Sequence, residues 1–205
     1  MAEGSIPVDV FNPGQVFACL GFLEAADALL DDAVGGFDWS NESEVRFRIC
    51  AGGKNNPIKV VLEFLALAEV ISIAPACSTQ STEKWKIPTV FLEEDAPFPF
   101  PDPPSPATLP AVLRVADKPP LIIDHWGDAT GRDNVKFWAG SGGYPGVALA
   151  LDALNLARDR IISAVDDPFS ISAPQSSSFR FDWRRDYIPM DVGFSPNDHE
   201  KLGIM

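Results

Sequence analysis

The chain has 205 residues, 46% hydrophobic and 22% charged, which suffices for one substantial buried core and is short for two. Sixteen lysines and arginines against 29 aspartates and glutamates leave a net charge of −13, the reverse of the footprint of a free-standing nucleic-acid binder. No apolar run approaches the ~20 residues that cross a bilayer, and the opening "MAEGSIPVDVFNPG" has no basic segment followed by an apolar one, so a single cytoplasmic domain over residues 1–205 is expected, with no membrane partner.

In chain order, "SIPVDVF" at residues 5–11 suits a short strand. "NPGQVFACLGFLEAADALL" follows, with Asn12 placed as an N-cap and Pro13 at the first helical position, where its missing N–H costs nothing. Val16, Phe17, Leu20, Leu23 and Ala26 recur near helical spacing, which predicts a helix over about 13–31. Gly35 and Gly36 punctuate its end. "EVRFRICA", residues 44–51, alternates polar with apolar and predicts a half-buried strand with Val45, Phe47 and Ile49 inward. A glycine turn then leads to Pro57 and a second helix over about 57–70, with Ile58, Val61, Leu62, Leu65 and Leu67 or Ala68 on its apolar face.

"APFPFPDPPSPATLP", residues 96–110, holds too many prolines for a helix or a central strand and reads as a surface arm. "AVLRVADKPPLIIDHW" reads as two apolar strands with the prolines at the turn between them. "VKFWAGSGGYPGVALALDALNLARDRIISAV" repeats the strand, glycine loop and helix arrangement, with the helix over about 145–165. "SSFRFDWRRDYIPMDVGF" then alternates aromatic with charged residues as a final strand. The expected fold class is α+β: a mixed or antiparallel sheet with about three helices, built from strand–Gly loop–helix units. Cys19, Cys50 and Cys77 are odd in number, widely spaced and set in apolar sequence, which fits reduced core thiols and neither a disulfide framework nor a metal site.

Three segments can carry chemistry. The turn Gly52-Gly53-Lys54-Asn55-Asn56-Pro57 opens a helix, where free backbone N–H groups and the macrodipole favour an anion. Lys54 adds a charge, and Asn55 or Asn56 can cap the helix or meet a base edge. A plain strand, turn, cap and helix explains the same residues, and no G-x-x-x-x-G-K-[ST] pattern supports a nucleotide-hydrolysing loop. "WAGSGGYPG", residues 138–146, offers a second glycine loop, with Lys136, Trp138 and Tyr144 nearby for a phosphate and a stacked base, or simply a flexible turn. "FRFDWRRDY" interleaves Arg180, Arg184 and Arg185 with aromatics, while Asp182 and Asp186 can neutralise them internally.

Catalytic signals are sparse. His125 in "LIIDHWGD" has no second histidine at metal-ligand spacing, and no G-x-S-x-G elbow is present. A small hydrolase or anion-binding enzyme using His125, Ser141 and the Gly140–Gly143 loop is one alternative. A structural adaptor docking through its proline arm is another. Neither requires a cofactor, and none is expected.

Two blocks, "IPVDVFNPGQVFACLGFLEAADAL" near the start and "FRFDWRRDYIPMDVGFSPND" near the end, resemble a CRISPR-associated family of the type I-U (I-G) systems, the large-subunit-like component of the crRNA-guided Cascade surveillance complex. "FDWRRDYIP" with "GFSP" is the more specific part, and the resemblance runs along most of the chain. Members of that family continue past "GFSPND", so a C-terminal continuation is expected to be missing. The resemblance implies a non-catalytic subunit whose partners are other CRISPR subunits, crRNA, target DNA and a helicase-nuclease. In such an assembly guide pairing reads the sequence, so the subunit needs only a few backbone contacts. Lys54, Asn55 and Asn56, then Lys136, Trp138, Arg180, Arg184 and Arg185, are the candidates for them.

Overall fold

The fold is taken from a computed structural model that describes residues 1–41, 43–76, 78–93, 108–124 and 146–170. It is α+β, with three α-helices and two sheets among those residues. Its contacts gather the chain into two compact units. The first takes Met1–Leu67 and the described residues from Asn155 onward; the second is built from Ala68–Leu154.

The first unit runs β1 (Ala2–Pro7), α1 (Pro13–Leu29), β2 (Val34–Asp38), β3 (Arg46–Ala51) and α2 (Pro57–Leu67). Its sheet has the order β1-β3-β2, with β3 antiparallel to both neighbours. β1 and β2 therefore run the same way on either side of β3, joined through α1, which is a split β-α-β connection. Register assigns the faces. Gly4 opposes Ile49, Ile6 opposes Phe47 and Phe37 opposes Phe47, so these residues share the side on which the core forms.

Ile6, Phe47 and Ile49 meet Ala18, Cys19, Phe22 and Ala26 of α1 and Ile58, Val61 and Leu62 of α2 in one cluster. The Phe37 and Phe47 rings stand 4.9 Å apart at 54°, a tilted aromatic pair across neighbouring strands. Burying each large side chain of this set is worth about 1.5–3 kcal/mol. Ala157 and Ile161 at the end of α3 (Gly146–Ile161), and Ala164 and Phe169 in the single turns beyond it, close the same core.

Both helices of this unit start alike. Asn12 Oδ1 accepts from the N–H groups of Gly14 and Gln15 at 3.0 and 3.4 Å, and Asn56 Oδ1 accepts from Ile58 and Lys59 at 2.9 and 3.3 Å. Proline stands at the next position in each case, so the two Asn-Pro pairs set two helix starts by one device.

In the second unit, β4 (Glu69–Ala74), β5 (Thr89–Phe91), β6 (Ala111–Arg114) and β7 (Leu121–Ile123) form a sheet of order β5-β4-β6-β7. β5 is parallel to β4, and the other pairings are antiparallel. Ile71, Ile73 and Val112 pack on one side. Between β4 and β5, the buried Ser72 and Thr82 hydroxyls lie 2.6 Å apart. Thr89 Oγ1 completes a triangle at 2.9 and 3.0 Å and also accepts from the Thr82 N–H. The β6–β7 hairpin has Pro119 and Pro120 in its turn, as expected.

Several elements differ from those expected of the sequence. β1 begins at Ala2 and ends at Pro7, because its partners run from Ala51 to Arg46, while Val8 and Val10 lie beyond it. Gly35 and Gly36 belong to β2 and do not end a segment; a Cβ on Gly35 would stand 3.0 Å from the Arg48 carbonyl and 3.2 Å from both Leu23 and Phe47, tighter than ordinary contact, so packing favours glycine there. α2 stops at Leu67 and Glu69 begins β4, because the β-branched run Val70, Ile71 and Ile73 is pulled into the second sheet. Of the alternatives Leu67 and Ala68, Ala68 is the buried one and Leu67 is 67% exposed, while Phe64 joins the buried face. Among the described residues no helix is long and apolar enough to cross a membrane.

Candidate functional site

The loop from Gly52 to Pro57 carries three of the residues picked out by sequence, and it is built by its neighbours. Gly52 donates its N–H to the Asp31 carbonyl at 2.7 Å, and a Cβ at Gly52 would come within 2.9 Å of that same oxygen. Gly53 follows at φ +95°, a conformation that an L side chain rarely adopts. The chain is thereby turned outward for two residues, and Lys54 and Asn55 are exposed. Asn56 brings it back as the cap of α2 and rests against Gly4 of β1.

This geometry settles which atoms of the loop are spoken for. Pro57 has no N–H, Ile58 and Lys59 donate to Asn56 Oδ1, and Val60 donates to the Asn56 carbonyl at 3.1 Å. The free helix-start donors expected from the sequence are therefore occupied, because the cap fills the place an anion would take. Of the two roles open to Asn56, the structure puts it in the capping one.

The four cations of the Met1–Leu67 segment divide in the same manner. Arg46 reaches Glu44 at 3.1 Å and holds Ser5 through both its hydroxyl and its carbonyl. Arg48 lies between Glu3 of β1 and Asp38 of β2, at 3.2 and 2.5 Å, so one guanidinium ties all three strands. Lys59 faces Glu63 one turn along α2. Lys54 has no carboxylate within ion-pair distance among the described residues. The sequence reading missed Arg46 and Arg48 as a constellation. Their alternation in "RFR" was visible, but their acidic partners lie on other strands and emerge only from the register.

Hydrogen bonds from the Ser40 backbone and hydroxyl, with the Arg48 guanidinium adding its charge, hold the Asp38 carboxyl below the usual carboxylate range. Burial pushes the Cys19 thiol up to about 12, so it stays protonated and unreactive in the core. Cys50 is half-buried on β3. Among the described residues no group of three His, Cys, Asp or Glu side chains is placed to hold a metal. Lys136, Trp138, Arg180, Arg184 and Arg185 lie outside the described residues, as do His125, the Gly140–Gly143 loop with Ser141, Cys77 and most of the proline arm.

No family model, curated protein or solved structure matches the chain. What the site offers is thus read from its own geometry: a lysine and an asparagine side by side in solvent, on a turn braced by a backbone hydrogen bond on one side and a helix cap on the other. Such a pair can give one charge-assisted and one neutral hydrogen bond to a phosphate or a base edge.

Proposed function

We propose that the chain is a non-catalytic subunit of a type I CRISPR crRNA-guided complex, and that Lys54 and Asn55 contact the nucleic acid held by that complex. The observation that carries the contact is the contrast between Lys54, exposed and without an acidic partner among the described residues, and Arg46, Arg48 and Lys59, each held by a carboxylate. The resemblance of the "NPGQVFACLGFLEAADAL" and "FDWRRDYIP" blocks supports the assembly. The net charge of −13 fits a subunit that adds one contact to an affinity spread over many chains, in which guide pairing supplies specificity. Recruitment of a helicase-nuclease belongs to the same proposal.

Two measurements test it. Tagged protein co-expressed with its genomic neighbours and a CRISPR array should be recovered, by native mass spectrometry, in a large particle with a discrete guide RNA. Recovery as a monomer without RNA sinks the assembly. Within the particle, Lys54→Ala with Asn55→Ala should weaken target-DNA capture and reduce its salt dependence while leaving composition unchanged. Unchanged capture reduces the loop to a turn.

A further inference from the structure

Helix α1 carries large apolar side chains on two sides, and the described residues bury only one of them. Ala18, Cys19, Phe22 and Ala26 face the core, while Phe17 and Leu20 are 59% and 45% exposed. At 3.6 residues per turn, Pro13, Phe17, Leu20, Gly21 and Glu24 fall on one outward arc, and all five are exposed. Two large apolar side chains adjacent on a solvent-facing arc are more than the singly scattered apolar residues of an ordinary surface. Phe11, just ahead of the cap and 83% exposed, extends the stripe. Gly21 adds to the argument, because a Cβ there would meet nothing within 4 Å. The fold gives no reason for the least helix-favouring residue after proline to stand mid-helix in solvent, whereas a second backbone approaching closely does.

The surroundings specify the charge of what would lie there. α1 contains no lysine or arginine, and its exposed ionised groups are Glu24 and Asp27, on the same arc as the stripe. At the opposite end Phe11 lines an open groove of about 400 Å³ with Pro7, Val8, Gln15 and Phe169, and the groove carries Asp9, Glu44 and Asp167. Asp9 accepts from the Phe11 N–H and Glu44 is shared with Arg46. The apolar stripe is therefore bounded by carboxylates at both ends.

We infer that this face docks an amphipathic helix from another polypeptide, one whose apolar stripe is flanked by lysines and arginines. A second copy of the chain fits poorly, since its α1 holds no lysine or arginine to meet Glu24 and Asp27, whichever way the two helices run. An anionic lipid surface is repelled by the same groups. The inference rests on this surface alone and stands whether or not the chain belongs to a guide-RNA complex.

The test uses the full chain and two labelled peptides of identical leucine and lysine content, one patterned at i, i+3, i+4 and one scrambled so that no apolar face forms. The patterned peptide should bind about tenfold or more tightly by fluorescence anisotropy. Phe17→Ser with Leu20→Ser should erase that preference with the circular dichroism spectrum unchanged. Gly21→Leu, which fills open space, should erase it as well. Equal binding of the two peptides, or a preference that survives both variants, overturns the proposal. So does a wild-type dimer in sedimentation that Phe17→Ser with Leu20→Ser abolishes, because the occupant would then be a second copy.

Discussion

Asn56 Oδ1 lies too near Gly4 for a Cβ to fit there, and Asn56 Cγ is only 3.0 Å from where that atom would stand. The cap of α2 and the bare backbone of β1 are thus one fitted contact. Gly4→Ala should displace the cap and cost about 1–2 kcal/mol, comparable to losing the cap itself through Asn56→Ala. In a urea-denaturation cycle the two losses should not add, since the alanine at position 4 has already removed what Asn56 supplies. Additive losses would mean that the side chain of Asn56 moves aside and caps from elsewhere.

Gly21 and Gly35 make a controlled pair. Gly21→Ala should stabilise the protein by about 0.5–1 kcal/mol, because helix propensity improves and nothing obstructs the methyl group. Gly35→Ala should destabilise it, because its methyl would press on the Arg48 carbonyl, Leu23 and Phe47. Thermal melts of the two variants, displaced in opposite directions, check both statements.

The Asp38 carboxyl gives a pH signature. Its folded pKa is lowered, first by Ser40 and then by Arg48, so its contribution is complete above the ordinary aspartate pKa and is lost as pH falls through the lower folded value. Asp38→Asn should be slightly less stable than wild type at neutral pH, with the two stability curves converging in acid. A gap that widens on acidification contradicts the assignment.

In the second unit, Thr82→Val removes a hydroxyl that meets Ser72, meets Thr89 and donates to the Ile87 carbonyl at 3.1 Å. Ser72 is fully buried and loses its shortest partner. A cost of about 1–3 kcal/mol is expected from the groups left short of hydrogen bonds. Hydrogen exchange of the Thr82 to Thr89 segment, which should quicken relative to β6, locates the effect.

Much of the first unit was legible in its sequence, for local reasons. Asn12-Pro13 and Asn56-Pro57 announce helix starts through side chains only a few atoms from the groups they satisfy. Phe47 and Ile49 reveal an inward face through alternation alone. What escaped reading depends on residues far apart in the chain. β2 hid behind Gly35 and Gly36 because a glycine required by packing looks the same in sequence as one required by a turn. β4 hid behind α2 because no glycine or proline separates Leu67 from Val70. Lys54 and Asn56 were chosen together as site residues, yet only the placement of Gly4 and of the α2 N–H groups shows that they do different work.

The strand-spanning arrangement of Glu3, Arg48 and Asp38 also bears on rates. Two carboxylates around one guanidinium present a net negative group to anything beyond contact range, and at physiological salt that field reaches about 8 Å. A polyanion diffusing toward this triad meets net repulsion within that range. Association of a polyanion with this face of the sheet should therefore be slow at low salt, and raising the salt concentration should weaken the repulsion and quicken it.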